Sequence, residues 1–357
     1  MHAMTVYLNR ISTAVPPNDV HQNFLRFAGS FLGERRERAV FDRMVSKSQI
    51  DHRWSVLTAP GDVESPKAAD FYVVDDFPAT GPRMEMYERT ALPLALEAIE
   101  GLDLGDRARD VTHLIVVSCT GFSAPGLDLQ IVQRCGLKPS TERTVIGFMG
   151  CYAAMNAMKA ARHIVRSEPS AVVLIVCVEL CTLHLQQPSD LEQVLSFMVF
   201  GDGCAAAIVS AEPTGLALDR FRTLLAPEAA DQITWRIGDH GFEMYLSGRV
   251  PGSVGAALQS QRDLLLDGLA VDDIDHWAVH PGGRSVLDAV EHALDLNQGA
   301  LGASREVLRQ FGNMSSATIL FVLDELMNHA PAGGRGCAMA FGPGLTAETL
   351  LFTAAGE

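Results

Sequence analysis

No stretch of roughly 18 to 20 apolar residues, the length a bilayer-spanning helix needs, occurs in the sequence. The nearest candidate, Ala171 to Leu180, already contains Glu179 and reads as a buried strand. The segment Met1 to Leu8 has no charged region leading into a long apolar run and a cleavage site, so a cytoplasmic protein is expected. Basic charge is scarce: 28 Lys and Arg stand against 43 Asp and Glu, a net charge of −15. The densest basic run, Gly33 to Arg38, is interrupted by Glu34 and Glu37, which argues against nucleic acid as a partner. The seven cysteines form no CxxC pair and no Cys/His ligand spacing, so neither a metal site nor a disulfide framework is expected, and free thiols in a reducing compartment fit. Low-complexity tracts are absent, and glycine and proline are not in excess.

What is present is a 357-residue chain, 48% hydrophobic, long enough for two domain-sized units. Residues 1–60 mix short apolar runs with charge, and within Ser46 to Trp54 the cations Lys47 and Arg53 are candidates to bind an anion such as a phosphate. Residues 61–83 read as a Pro-, Gly- and Asp-rich surface loop. A helix is expected over Met84 to Glu100, where Ala91, Leu94, Ala95 and Ala98 recur at helical spacing. The run Val111 to Ser118 predicts a strand that breaks at Cys119-Thr120-Gly121, and Leu127 to Cys135 a helix. Gly150-Cys151 opens an alanine-rich helix reaching about Ser167, so the Cys151 sulfur belongs at a helix head, where free N–H groups and the macrodipole favour a thiolate. Ala171 to Glu179 predicts a strand covered on both faces, followed by a polar loop from Gln186 to Asp190. Val199 to Val209 reads as a glycine turn entering a small-residue strand. The irregular stretch Ala226 to Gly255 carries Trp235, Phe242, Met244 and Tyr245, candidates for a pocket wall or for core. Strands alternating with helices indicate an α/β fold with a mostly parallel sheet.

The second half repeats this grammar. Asp275 to Gly283 is a short strand breaking at His280-Pro281-Gly282-Gly283, with a helix over Ser285 to Leu294. Gly312-Asn313 stands before a helix reaching about Asn328, and Gly336 to Phe341 is a small-residue strand closed by Gly342-Pro343-Gly344. Ser118 and His280, Cys151 and Asn313, and Glu179 and Phe341 are each 162 positions apart. A constant offset is what two tandem copies of one βαβ-rich unit produce. It makes Cys151 and Asn313 equivalent helix heads and sets His280 at the matching strand end.

Those three side chains suit acyl transfer through a thioester. An imidazole beside Cys151 stabilises its thiolate, and Asn313 with that imidazole can donate hydrogen bonds to a thioester carbonyl and to the enolate left when a malonyl group loses carbon dioxide. That step needs no metal.

Phe200-Gly201-Asp202-Gly203, His280-Pro281-Gly282-Gly283, Gly312 to Thr318 and Phe341-Gly342-Pro343-Gly344, in this order around Cys151, resemble the signatures of the type III polyketide synthases, the chalcone and stilbene synthase family. The resemblance covers nearly the whole chain. It implies a thiolase-like fold of two pseudo-duplicated αβαβα halves, with residues 1–210 carrying the nucleophile and 211–357 the catalytic His and Asn. It also implies a homodimer that condenses malonyl-CoA iteratively onto an acyl-CoA starter, with neither carrier protein nor bound cofactor. On it, Cys151 carries the starter and growing chain, His280 and Asn313 bind the malonyl thioester, and Phe200 is the gate between CoA tunnel and cavity. Lys47 and Arg53 fall in the segment that contacts CoA phosphates, Ser315 follows the catalytic asparagine, and Gly342, Pro343 and Gly344 shape the cavity.

The chain departs from plant members at several positions. Met244 stands where they have a second gating phenylalanine. Cys119, Cys181 and His184 replace cavity threonines, and Ala124 replaces a methionine that reaches the partner subunit. The expected product is therefore an alkylpyrone or alkylresorcinol built on an aliphatic starter. The alternatives are a single-condensation β-ketoacyl carrier-protein synthase III, which has His-Gln-Ala-Asn where this chain has His280 to Gly283, and a non-catalytic scaffold of the same fold.

Overall fold

The computed structural model describes residues 4–58, 71–187, 191–329 and 332–355. The first ten positions of the expected 61–83 loop and the end of the Gln186 to Asp190 loop lie outside the described residues. The first half runs β1 (Tyr7–Ala14), β2 (Asn18–Asp19), α1 (His21–Ser30), α2 (Arg35–Lys47), β3 (Trp54–Ser55), α3 (Thr80–Glu100), β4 (His113–Ser118), α4 (Leu127–Arg134), β5 (Glu142–Gly147), α5 (Ala153–Ser167), β6 (Val173–Leu180), α6 (Leu191–Phe197) and β7 (Asp202–Ser210). The second runs β8 (Leu216–Leu225), β9 (Ile233–Gly238), β10 (Gly241–Leu246), α7 (Val250–Leu265), β11 (His276–Val279), α8 (Arg284–Leu294), α9 (Gly302–Phe311), α10 (Thr318–Met327), β12 (Arg335–Gly342) and β13 (Thr346–Ala354).

Nine strands line up as β11-β12-β13-β8-β1-β7-β6-β4-β5. The halves meet through a two-residue pairing of β1 with β8. Outward from that seam the order is the same on both sides. β4 lies parallel to β6 as β11 does to β12, and β6 lies antiparallel to β7 as β12 does to β13.

Residues two apart on one strand share a face, and the core divides accordingly. Leu174, Val176 and Val178 of β6 pack with α3 and α4, whereas Val173, Ile175 and Cys177 pack with α5. In the second half Trp277, Val279, Cys337 and Met339 face α7 and α8, while Ala338 and Ala340 face the centre. Helices α5 and α10 form that centre. Small residues line the buried side of α5 (Ala153, Ala154, Ala157, Ala161), and every residue from Thr318 to Leu323 of α10 is buried. The result is five layers, αβαβα, in which the two halves share the middle helical layer. All eight residues of β6 are buried, as its unbroken apolar run implies.

Helix α3 begins at Thr80, earlier than its apolar spacing indicates, with Pro82 in the first turn, where a missing N–H costs nothing. The charged segment around Glu34 to Arg38 enters α2, and β1, a strand at the middle of the sheet, lies in the apolar runs near the N-terminus. Among the described residues no helix is long and apolar enough to cross a membrane.

Candidate active site

Cys151 lies in a single 3₁₀ turn, Gly150–Tyr152, that feeds α5, and the matching turn Ser315–Ala317 feeds α10. The Cys151 turn is pinned from both halves. Gly150 N–H donates to Cys119 Sγ at 3.1 Å, fastening the turn to the end of β4. Gly150 has φ +76°, and a Cβ there would stand 2.2 Å from Pro343 Cδ, while a Cβ on Gly342 would stand 3.2 Å from Cys151 N. Only glycine permits this approach between the loop after β12 and the cysteine.

Asn313 is buried, and its backbone is fixed by two bonds: its N–H donates to Val199 O at 2.7 Å and its carbonyl accepts from Gly201 N–H at 3.0 Å. Its Oδ1 accepts from Ser315 N–H at 2.8 Å, which leaves the amide NH2 as the donor for the site. His280 stands one residue beyond β11, its N–H donating to Met339 O at 2.8 Å, three residues before Gly342. A Cβ on Gly283 of the same loop would stand 3.9 Å from the Val199 side chain, so the loop borders the Val199 to Asn313 contact. The structure thus gathers the Cys151 turn, the Asn313 loop and the His280 loop around the ends of β6, β7 and β12.

Electrostatically the free site is neutral. Burial pushes the Cys151 thiol up to about 11, opposed by the Ser315 and Asn313 side chains. Burial likewise pushes His280 down to about 3, and neither ring nitrogen has a hydrogen-bond partner. The imidazole–thiolate bond anticipated from the sequence is therefore not made in this state. A dry site favours the neutral thiol and the neutral imidazole alike.

A narrow pocket opens from Cys151, its walls including Cys119, Cys181, Phe200, Met244, Ser315 and Pro343. Sequence reasoning did not find Thr120, Phe197 and Ile233, which also line it. Trp235, left open between pocket and core, lies on the wall, donates its indole N–H to Cys119 O at 2.8 Å and pairs with Met244 across the β9–β10 hairpin.

Four expected site residues, Arg53, His184, Gly342 and Gly344, are placed differently. Arg53 is 2% exposed, so it is not a surface contact for phosphate. Its guanidinium donates to Phe197 O at 3.0 Å, Phe200 O at 2.8 Å and His21 Nδ1 at 2.9 Å, and stacks over Phe24. It is a buried brace beneath Phe200. His184 is fully buried behind the wall: Nε2 donates to Thr120 O at 2.7 Å, Nδ1 accepts from Phe242 N–H at 3.0 Å, and the ring stacks on Phe242. Of the loop Gly342 to Gly344, only Pro343 reaches the pocket. Lys47 ends α2 exposed, with Arg43, also exposed, one turn before it on the same face.

Glu179 is the group that sequence reasoning used only as a landmark. Wholly buried, it accepts from Cys119 N–H at 3.0 Å, from Thr120 Oγ1 at 2.9 Å and from the Ser316 hydroxyl, joining the end of β4 to the head of α10. Burial lifts its carboxyl to about 7 despite those three bonds. An acid closing an otherwise apolar strand is the signal that could have found it.

The model of the chalcone and stilbene synthases, N-terminal domain, matches residues 4–213, and that of their C-terminal domain matches residues 219–355. The chain is 35% identical to the alpha-pyrone synthesis polyketide synthase-like Pks18 of Mycobacterium tuberculosis over 96% of its own length and 89% of that protein's. Among solved structures it resembles PKS-I of the brown alga Ectocarpus siliculosus, with 28% identity, a TM-score of 0.88 and 99% of each chain covered. It has the fold of the C-terminal type III polyketide synthase domain of Steely1, a type I/III hybrid from Dictyostelium, at 23% identity and a TM-score of 0.88, with 99% of this chain and 100% of that one covered.

Proposed function

Because the chain belongs to the chalcone and stilbene synthase family and is a type III polyketide synthase, we propose that it loads an aliphatic acyl-CoA onto Cys151 and extends it with malonyl-CoA to an alkylpyrone or alkylresorcinol. The observation that carries this reading is one narrow apolar pocket lined by Cys151, Ser315 and Phe200, with Asn313 bridged to Phe200 by its main chain and hydrogen-bonded to the Cys151 thiol by its side chain, and the buried His280 imidazole without a hydrogen-bond partner one residue past β11.

The steps follow from those groups. Cys151 Sγ attacks the acyl-CoA carbonyl while His280 takes the thiol proton. The bond from carbonyl to CoA sulfur breaks, and the CoA thiolate leaves with that proton. Malonyl-CoA then enters with its thioester oxygen toward the Asn313 NH2 and the His280 ring, donors that hold the enolate formed as the C–CO2 bond breaks. The enolate carbon attacks the Cys151 thioester, releasing the thiolate and a ketoacyl-CoA two carbons longer, which reloads on Cys151. When an enol oxygen of the extended chain attacks its own thioester carbonyl, the sulfur leaves and a pyrone ring closes. The alpha-pyrone synthesis in the mycobacterial relative's name supports that outcome. The reaction uses CoA thioesters and no bound cofactor.

An aliphatic starter fits the walls, where Met244, Ile233, Cys119 and Cys181 offer apolar surface. A second apolar pocket, lined by Phe24, Phe27, Leu57 and Phe71, shares Cys181, Phe197 and Phe200 with the first. Lys47 with Arg43 is the cationic face for the CoA phosphates, and the chain divides functionally at 210/211. A homodimer has a natural seam in β5, the outermost strand, with Val145 52% exposed beside Met149 and Phe122.

The test is incubation with malonyl-CoA and straight-chain acyl-CoA starters of increasing length, without carrier protein, followed by mass spectrometry. Alkylpyrones or alkylresorcinols are expected, with longer starters favoured. Absence of any polyketide overturns the reading, and turnover of aromatic starters alone overturns the aliphatic part.

A further inference from the structure

At the end of β4 remote from Cys119, the fold brings together three groups that the reaction does not use. His113 opens β4, Glu142 opens β5 and stands opposite His113 in the parallel register, and Glu168 follows the last residue of α5. One nitrogen or oxygen of each lies within 4.8 Å of the other two. The residues are far apart in sequence and contain no cysteine, so spacing motifs do not reveal the group.

Two features indicate what fills the gap between them. The separation of His113 Nε2 from the Glu142 carboxylate is 3.6 Å, too long for a hydrogen bond. It is close to the spacing of about 3.4 Å that two ligands have when each sits about 2.1 Å from one tetrahedral ion. Among the described residues neither carboxylate makes a hydrogen bond, and the His113 contact is the one ion pair of Glu142.

The second feature is the imidazole, only 7% exposed. Its Nδ1 lies 2.8 Å from Thr112 Oγ1. That hydroxyl accepts from Val172 N–H at 3.0 Å and donates its single proton to Val172 O at 3.2 Å. With its proton on Val172 O, the hydroxyl accepts from His113 Nδ1–H and the Nε2 lone pair is the atom turned to the Glu142 carboxylate; that is the tautomer a metal ligand at Nε2 requires. Three electron-rich groups facing one another are stable around a cation, and a second-shell oxygen on the far ring nitrogen is the usual way a metal-binding histidine is oriented.

We propose that His113, Glu142 and Glu168 bind a zinc ion, with water completing the shell, which staples the edge strand β5 to β4 and to the end of α5. One imidazole and two carboxylates suit zinc better than magnesium or calcium, which prefer all-oxygen shells. The ion lies a full strand length from the nucleophile, so its role is structural.

The test is calorimetric titration of the chelator-stripped full chain with zinc chloride, beside Glu142→Gln, Glu168→Gln and Thr112→Val. The glutamate variants alter exposed side chains and should fold. One equivalent of zinc is expected in the wild type together with a rise in melting temperature, and both are expected to be lost in the glutamate variants. Thr112→Val, which touches no ligand atom, should weaken binding about 10- to 100-fold. Zinc held at thiols is common to all four proteins and cancels in the comparison. Equal zinc binding by wild type and both glutamate variants overturns the proposal. So does a wild type that binds no zinc but gains stability on mild acidification, which would make the occupant of the gap a proton.

Discussion

Phe200 and Asn313 are paired main chain to main chain, in a parallel bridge that crosses from one half of the molecule to the other. Asn313 N–H donates to Val199 O and Gly201 N–H to Asn313 O, while Arg53 holds the carbonyls of Phe197 and Phe200 from behind. The side chain bordering the pocket and the amide proposed to hold the thioester are therefore one rigid piece. A disturbance at either is felt at the other.

Gly312 is where that coupling can be tested. Its backbone has φ +68° and ψ −149°, and a Cβ there would stand 2.7 Å from Val199 O and 2.9 Å from Arg53 Cγ. Gly312→Ala should cost about 1–3 kcal/mol from backbone strain alone. Because the clash falls on the carbonyl that Asn313 uses, malonyl-CoA decarboxylation should fall through kcat more than through KM. A folded Gly312→Ala enzyme with wild-type decarboxylation would show that the bridge does not govern the asparagine.

The second prediction concerns how Cys151 loses its proton. Burial raises the thiol, and the polar side chains opposing it are those of Ser315 and Asn313. If the His280 imidazole reaches the thiol when the alkylating group enters the pocket, it takes the proton and stabilises the thiolate further, so deleting it raises the apparent thiol pKa. Iodoacetamide labelling of Cys151, followed by peptide mass spectrometry across pH, should inflect at least about one unit lower in the wild type than in His280→Gln, equivalent to about 1.4 kcal/mol. Coincident profiles would remove His280 from this role.

Part of this arrangement is visible in the sequence, because equivalent landmarks recur 162 positions apart and strands such as β4 and β6 are unbroken apolar runs. The β9–β10 hairpin, read as irregular, is not, and the sheet expected to be mostly parallel pairs β1, β7, β8 and β13 antiparallel to their neighbours. Cys151, His280 and Asn313 emerge from that repeat without coordinates. Arg53 and His184 do not, since a charged or polar residue declares its chemistry but not its depth. Arg53 is buried because three acceptors, two of them carbonyls some 145 positions away, happen to converge on it. His184 is buried because Thr120 O and Phe242 N–H satisfy both its nitrogens. Trp235 enters the wall through the register of a hairpin, which composition leaves unspecified.

Glu179 makes stability depend on pH in a direction opposite to that of most acids. Its carboxyl is raised from 4.5 to about 7, so the folded state holds a proton that the unfolded chain releases. The associated stability is complete below pH 4.5 and is lost as pH rises through about 7. Glu179→Gln cannot ionise. Its melting temperature relative to the wild type should therefore climb between pH 4.5 and 7, by the equivalent of at most about 3 kcal/mol. Whatever fixed offset the amide introduces does not alter that slope. A difference independent of pH would mean that Glu179 is already ionised in the folded protein.

Lys47 and Arg53 are six residues apart, yet their environments assign them different work. Lys47 is exposed at the end of α2, so Lys47→Ala should leave the melting temperature unchanged and raise KM for CoA thioesters several-fold, corresponding to about 1 kcal/mol for a solvent-exposed ion pair. That effect should shrink at high salt and vanish with N-acetylcysteamine thioesters, which carry no phosphate. Arg53 braces the Phe200 segment from inside, and burial lowers its guanidinium to about 9. Lysine has no planar fork to serve two carbonyls and a ring nitrogen at once, so Arg53→Lys should lower the melting temperature and impair turnover of both substrate types alike. If Arg53→Lys instead discriminated between CoA and N-acetylcysteamine thioesters, the buried arginine would be sensing phosphate after all, and the brace would have to open during catalysis to let it do so.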